Sequence, residues 1–466
     1  MGNSESDKRA LASRFLQYLS LHKELLLVCT LGFLVRLWFI PYIMSMDDLY
    51  TWRNIGRAIC GGHLLDFYHT YLKYRYPPLW GYVCAVSYKI ASIFVEEPVR
   101  VNDIHFLTWI KMPLIVSDIA LGTFLYKFVI EFTKDKRQAL LASILFIFNP
   151  IVIFITAYWG MFDGLCLLFL VMAEYYLIKG RLGPSAVMNA LAVLTKQYAY
   201  PLALVSGLIV LRERGWKKGV AYLAAICIIF GFFSVPYLLS EPHEYLDAVI
   251  YTEPAKILRT AKGGFGGILY IGQRWGLFYV PEFLNGTYSY LLYAVFLLWF
   301  GFFAIRRIEV KDRTVNDVMV MLALTFLTLS PYLHSNYFFL CVPFICLSVA
   351  LRHHSPLFYA MTVFPITVWV YGFPFIEDPE RLWSLSFATL NCLSTFAGQF
   401  STSMDVIEAS FEREAQTPKY RRQRMTQNRE TTQDMLKTLE SRPIAPENNP
   451  SNVLKRGEYV KSSKID

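Results

Sequence analysis

Long apolar runs recur along the whole chain and decide its structural class. Hydrophobic residues make up 55% of the 466 positions and charged residues 17%, whereas a soluble protein carries about 25% charged residues. A helix needs about 20 apolar residues to cross a bilayer, and the runs that approach this length are 24–43, 106–132, 138–157, 159–179, 185–211, 218–240, 287–306, 316–333, 336–351, 355–375 and 382–400. The sequence therefore predicts an all-α polytopic membrane protein with about 10–12 transmembrane helices.

Basic residues cluster in the short loops between these runs. The clusters are Lys134-Asp135-Lys136-Arg137, Lys179-Gly180-Arg181, Arg212 to Lys218, Arg306 to Arg313 and Arg352-His353-His354. By the positive-inside rule we expect them, with the N-terminus 1–23, on the cytoplasmic side. The net charge of +9 is thus explained by topology, and we expect no nucleic-acid partner. The polar segment 401–466 is predicted to be a disordered cytoplasmic tail.

Two apolar runs do not fit a simple alternation of crossings. Counting 79–95 as a crossing would reverse the side of the next basic loop, so we predict that it is re-entrant or interfacial within a large first outer loop, 44–105. The run 185–211 has basic residues at both ends and Lys196-Gln197 in its middle. It is therefore predicted to be a broken pair of half-helices whose polar break faces a cavity.

This arrangement sends the polar clusters near the span ends to the outer face. The first is Asp47-Asp48, directly after the first apolar run. Acidic residues at a membrane boundary are costly without a task, and adjacent carboxylates suit a general base or a divalent cation site. The alternative is that they only begin an interfacial helix, where acids suit the helix dipole.

Lys196 and Gln197 form the second cluster. A buried ammonium needs a counter-charge, and a substrate phosphate would supply one; a lysine that snorkels to the interface is the alternative. The segment Trp159 to Asp163 opens another span, where Gly160 lets a ligand approach closely. Here the alternative is that Asp163 is a plain helix N-cap.

Three further patterns are candidates. Arg75 and Tyr76 precede two prolines and combine a cation with an aromatic ring suited to a sugar face. His334 and Tyr337 share a helix face and could contact a phosphate or a sugar, although a structural histidine fits equally well. Two helical turns separate Lys111 from Asp118, and their common face predicts an internal ion pair.

The eight cysteines have no CxxC spacing and lie mostly inside apolar runs. This is typical of small packing residues rather than of a disulfide framework or a metal site.

The order of these motifs resembles a known superfamily. A first-loop acid pair is followed by Arg-Tyr-Pro-Pro-Leu, Lys-x-Pro-x-x-x-x-Asp, Trp-Gly-x-Phe-Asp, Lys-Gln and Pro-x-x-His-x-x-Tyr. The set is similar to the GT-C glycosyltransferases that use polyprenyl-phosphate sugars, above all the mannosyltransferases of the GPI-anchor type and the dolichol-pathway glucosyltransferases. The resemblance covers about residues 24–350. Met161 stands where the family pattern has Gln.

The resemblance implies a GT-C-like bundle over 24–400 and an inverting transfer of a hexose, mannose first and glucose next. The catalytic base would be Asp48 or Asp47. The donor phosphate and sugar would contact a set drawn from the motifs, namely Lys196, Gln197, Arg75, Tyr76, Asp163, Trp159, His334 and Tyr337. The partners would be a polyprenyl-phosphate-linked donor and a lipid-linked or protein-linked acceptor, in the cell membrane or the endoplasmic reticulum membrane. No cofactor is implied beyond a divalent cation that Asp47 and Asp48 could hold.

A polytopic transporter or lipid flippase is the alternative, because a broken helix at the membrane midplane also fits that class. The sequence has no visible inverted repeat, and its polar residues concentrate on one face. Both observations favour the enzyme. The loop 241–286, rich in glycine near position 264, is predicted to gate the acceptor.

Overall fold

The computed structural model describes residues 23–70, 74–95, 99–251, 314–329 and 335–351. The helices of these ranges are α1 Lys23–Trp38, α2 Met46–Cys60, α3 Phe67–Thr70, α4 Pro78–Ala91, α5 Ile104–Thr133, α6 Lys136–Ile147, α7 Pro150–Trp159, α8 Asp163–Ile178, α9 Leu182–Thr195, α10 Ala199–Arg214, α11 Trp216–Ser240, α12 Pro242–Leu246, α13 Thr314–Leu329 and α14 Val342–Ala350. No strand occurs in these ranges, in agreement with the predicted all-α class.

Helix boundaries follow local sequence signals. The α5 helix begins after Asp103, whose side chain accepts a hydrogen bond from the backbone N–H of His105. Asp135 caps α6 and Asn149 caps α7 in the same way. The last turns of α7 form a π-helix, and it ends at Gly160, whose φ of 89° lies in the left-handed region that favours glycine.

Two of the predicted spans are broken in the structure. The run 138–157 bends by 43° between α6 and α7. The run 185–211 breaks where predicted: α9 ends at Thr195, Lys196 is extended, and α10 begins at Ala199. The predicted spans 287–306, 355–375 and 382–400, the tail 401–466 and most of the 241–286 loop lie outside the described residues.

The basic loops meet at one end of the bundle, which we call the basic end. Lys136 at the start of α6 pairs with Glu24 at the start of α1. Lys179 after α8 pairs with Glu131 in the last turn of α5. The turn at Gly180 lies beside the Arg214 guanidinium at the end of α10. These contacts bring together the three basic loops that the positive-inside pattern assigns to one side.

The opposite end carries the predicted functional residues, and we call it the site end. Lys111 near the start of α5 contacts the backbone after α1, at Tyr42. The segment 44–105 therefore leaves the bundle and returns to it at the site end. Within this segment α2 and α4 pack side by side. Whether 79–95 enters the membrane stays a prediction.

Among the described residues, α5 and α11 are long and apolar enough to cross a membrane. The bent pair α6 and α7 is a third candidate. Together with the apolar helices packed around α5, this is the architecture of a multi-pass membrane protein.

The α2 and α4 helices approach closely at Gly56. A Cβ atom at this position would lie 2.5 Å from the backbone oxygen of Cys84 and 2.8 Å from the Cβ of Tyr88. Backbone cannot move aside as a flexible side chain can, so the absence of a side chain sets the distance between these helices.

We expect Gly56→Ala to destabilise the protein. Alanine normally stabilises a helix relative to glycine by about 0.4–1 kcal/mol, but overpacking at Gly56 would cost about 1–3 kcal/mol. Gly231→Ala in α11 is the matched control, since a Cβ there meets nothing within 4 Å. Thermal unfolding in detergent should give a lower midpoint for Gly56→Ala and an equal or higher one for Gly231→Ala. A raised midpoint for both variants would contradict the close approach.

Candidate active site

The Asp48 carboxylate lies at the start of α2, at the site end. Ser45 caps this helix, and its hydroxyl oxygen accepts a hydrogen bond from the Asp48 backbone N–H at 3.3 Å. The Asp48 side chain is half-buried. Its Oδ2 accepts a hydrogen bond of 2.8 Å from the indole Nε1–H of Trp159. The acid pair thus does begin a helix, and Asp48 also reaches across to α7.

Asp47 has a different environment. Its side chain is exposed, and its backbone oxygen accepts a hydrogen bond from the Thr51 hydroxyl. Neighbouring positions on a helix do not face each other, and Oδ2 of Asp48 is already bonded to Trp159. The two side chains therefore have different surroundings, and a divalent cation at Asp47 and Asp48 stays a prediction.

Lys111 ties together the backbone around Asp48. Its ammonium donates hydrogen bonds to three carbonyl oxygens, at 3.3 Å to Phe39, 2.6 Å to Tyr42 and 3.1 Å to Tyr158. Phe39 and Tyr42 follow α1, and Tyr158 lies in the last turn of α7. The lysine is fully buried. Its contacts hold the segments that lead into Asp48 and into Trp159.

A cluster of aromatic rings continues from Asp48 along α2. Trp52 stands four residues after Asp48 and so lies on the same helix face. Its ring contacts four others at centroid distances between 5.5 and 6.4 Å, those of Tyr74, Tyr76, Trp80 and Phe162. These distances suit edge-to-face packing. The cluster joins α2 to the loop before α4 and to the start of α8.

Lys196 lies at the break between α9 and α10 and pairs with Asp163. The distance from Nζ to Oδ1 is 2.7 Å, and both side chains are almost completely buried. Four rings surround the ammonium at 5.0–5.7 Å, those of Tyr76, Phe162, Tyr198 and Tyr337. Asp163 is thus an ion-pair partner rather than the plain N-cap that was the alternative, and Lys196 does not snorkel to an interface.

Gln197 links the same helix break to the predicted sugar-binding loop. Its side-chain amide donates a hydrogen bond of 2.7 Å to the backbone oxygen of Arg75 and one of 3.3 Å to that of Ala248. The bond fixes the backbone at Arg75, a half-buried residue. The sequence had singled out both residues without predicting their contact.

The predicted ion pair between Lys111 and Asp118 is wrong. Asp118 instead pairs with Arg36 of α1, with 3.0 Å between Nε and Oδ2, and accepts a hydrogen bond of 2.5 Å from Thr156. Both charged side chains are buried. The seven-residue spacing correctly gives a common helix face, but each residue finds its partner on other segments. Arg36 is a charged residue inside the first apolar run, and this position was the sequence feature that could have indicated a partner for Asp118.

The structure brings most of the predicted site residues together in two adjoining groups. Asp48 and Trp159 form one group. The other consists of Lys196, Asp163, Tyr76, Tyr337, Gln197 and Arg75, with Phe162 and Tyr198 as members that the sequence analysis missed. His334 lies outside the described residues. Met161, at the position where the resemblance expects Gln, is buried.

Comparison with known proteins gives one family and a set of similar folds. Residues 107–331 match the model of glycosyltransferase family 87. No curated protein matches the chain. The fold is similar to that of ArnT from Cupriavidus metallidurans bound to undecaprenyl phosphate, with 13% sequence identity, a TM-score of 0.48, and coverage of 84% of this chain and 78% of ArnT.

The apo structure of the same ArnT gives nearly the same values. Its sequence identity is 12% and its TM-score is 0.47, with 83% of this chain and 77% of ArnT covered. Neither likeness assigns a substrate to this chain. Over residues 107–331, from α5 to the segment after α13 and including Lys111, Asp163 and Lys196, the chain is similar to glycosyltransferase family 87, and this match supports a multi-pass membrane glycosyltransferase.

Proposed function

We propose that this glycosyltransferase transfers a hexose from a polyprenyl-phosphate sugar to a lipid-linked or protein-linked acceptor. The transfer takes place at the outer or lumenal face and inverts the anomeric carbon. Mannose is the first candidate and glucose the second. One observation carries the proposal: the half-buried Asp48 carboxylate, held through one oxygen by Trp159, lies at the end of the bundle opposite the basic loops.

Asp48 acts as the general base in this proposal. Its carboxylate takes the proton of an acceptor hydroxyl while that oxygen attacks the anomeric carbon of the donor. The bond between the anomeric carbon and the phosphate oxygen breaks, and the lipid phosphate leaves with the bonding electrons. A cation near the phosphate stabilises the charge that develops there.

Two cations were candidates for the phosphate contact, and their environments differ. Lys196 is paired with Asp163 inside an aromatic enclosure, so its charge is already balanced. Arg75 is half-buried, and Gln197 holds its backbone in the same group. We therefore propose Arg75 for the donor phosphate. Lys196 would act on the donor indirectly, because it supports Tyr76 beside Arg75.

The base assignment predicts a difference between two neighbouring carboxylates. Asp48→Asn keeps the size of the side chain but removes its basicity, and we expect transfer to fall by about a hundredfold or more. Asp47→Asn is the matched control, one residue away and exposed, and should retain most of the activity. The measurement is sugar transfer from radiolabelled polyprenyl-phosphate mannose and glucose to octyl glycosides. Full activity of Asp48→Asn would exclude it as the base.

Because Lys196 and Asp163 form a buried pair, we expect replacement of Lys196 to lower the stability of the fold rather than to remove a direct contact with the donor. Lys196→Met leaves the Asp163 carboxylate buried without its cation, and loss of one partner costs about 3–5 kcal/mol. The double variant with Asp163→Asn should recover most of the thermal stability. Lys136→Met removes the cation of an exposed pair with Glu24 and should change the midpoint little.

Measurements of donor binding distinguish a structural role of Lys196 from direct contact between Lys196 and the donor phosphate. If the pair is structural, the double variant binds a polyprenyl-phosphate sugar nearly as well as the wild type, whereas Arg75→Gln binds it weakly. If the double variant is stable but does not bind the donor, and Arg75→Gln binds it normally, the phosphate contact belongs to Lys196 and not to Arg75.

A further inference from the structure

The contact between Trp159 and Asp48 gives the tryptophan a role that the sequence did not indicate. The resemblance implies that Trp159 is one of the donor-binding residues. In the structure its side chain is 9% exposed, and its only polar atom, Nε1, donates to Oδ2 of Asp48 at 2.8 Å. The polar edge of the ring is therefore directed at the proposed base.

The position of the indole is fixed from several sides. Lys111 holds the backbone oxygen of Tyr158, the residue before Trp159. Gly160, the residue after it, takes a left-handed conformation, and its backbone N–H bonds to the Thr156 oxygen at 3.1 Å. The ring also packs edge-on against Phe154, with 6.3 Å between the centroids. A donor that is held in this way can fix the direction of the group it bonds.

We propose that Trp159 is a positioning residue that orients the Asp48 carboxylate for proton transfer. This inference rests on the proposed function of Asp48. An indole N–H donates a hydrogen bond but accepts none, so Trp159 neither takes nor supplies the proton in the reaction. It occupies Oδ2 and leaves Oδ1 to receive the proton of the acceptor hydroxyl.

The bond also limits how the base can rotate. A carboxylate on the first turn of a helix can adopt several rotamers. Without the bond to Trp159, its oxygens could accept hydrogen bonds from water or from nearby backbone N–H groups. A hydrogen bond to a charged group is stronger than one between neutral groups. Trp159 thereby selects one side-chain orientation, and accurate orientation of a reacting group contributes to the rate rather than to donor affinity.

The test replaces only the N–H group. Replacement of Trp159 by 3-benzothienylalanine keeps the bicyclic ring but puts sulfur in place of the indole N–H, and Trp159→Phe serves as the genetically simple variant. The same replacement at Trp109, a half-buried tryptophan of α5, controls for incorporation. Transfer is measured with polyprenyl-phosphate mannose and glucose and octyl glycoside acceptors, with thermal midpoints to confirm folding.

We expect the benzothienyl protein to keep its midpoint and its KM for the donor while kcat falls by about tenfold or more, the loss expected for a hydrogen bond to a charged group. In an Asp48→Asn background the replacement should lower the residual rate no further, since residues that act as a unit are not additive. The protein with the replacement at Trp109 should behave as wild type.

Three outcomes would overturn the inference, and they are distinguishable from one another. Normal kcat in the benzothienyl protein would mean that Trp159 only packs. An undiminished further loss in the Asp48→Asn background, or a raised KM for the donor, would mean that Trp159 contacts the donor sugar independently of Asp48. Wild-type activity of Asp48→Asn itself would instead remove the proposed base, and this inference with it.

Discussion

The ammonium of Lys111 holds together the segments on which the candidate active site depends. Its three backbone acceptors lie after α1 and at the end of α7. The first segment leads within a few residues into Asp48, and the second leads directly into Trp159. Because every buried N–H of an ammonium needs an acceptor in an apolar surrounding, this cluster has little freedom to rearrange. The contacts of Lys111 therefore also restrict the positions of Trp159 and Asp48 and the hydrogen bond between them.

Two buried ion pairs extend the same framework into the bundle. Arg36 and Asp118 join α1 to α5, and the hydroxyl of Thr156 in α7 donates a hydrogen bond to Asp118. Asp163 and Lys196 join α8 to the break between α9 and α10. Gly164 stands between the two pairs, since a Cβ at this position would lie 2.3 Å from Oδ1 of Asp118. Buried pairs of this kind add little net stability over apolar packing. Their consequence here is geometric, because each charge admits only the helix arrangement that supplies its partner.

Sequence patterns predicted the architecture well and the pairing of charges poorly. Apolar runs gave the all-α membrane class, and the polar residues at 196 and 197 correctly placed a helix break. The basic residues at 136, 179 and 214 were correctly grouped. Local spacing carries this information, since helix periodicity and loop charge act over a few residues.

The partners of buried charges are set by contacts between distant segments. Asp118 meets Arg36 from 82 positions away, and Lys111 bonds carbonyl groups that no side-chain pattern reveals. Trp159 was predicted to be a site residue, but the partner of its indole N–H lies 111 positions away on α2. For the same reason the aromatic enclosure of Lys196 could not be predicted, since its rings come from four separate segments.

The roles of Asp48 and Arg75 can be observed in a structure with a non-transferable donor bound, such as a polyprenyl phosphonate carrying mannose. We expect the phosphonate oxygens to lie within hydrogen-bond distance of the Arg75 guanidinium and the anomeric carbon to face a site beside Oδ1 of Asp48. Lys196 should remain paired with Asp163, and Trp159 should remain bonded to Asp48. A phosphonate bound to Lys196 with the Asp163 pair broken, or a sugar placed away from Asp48, would contradict these roles.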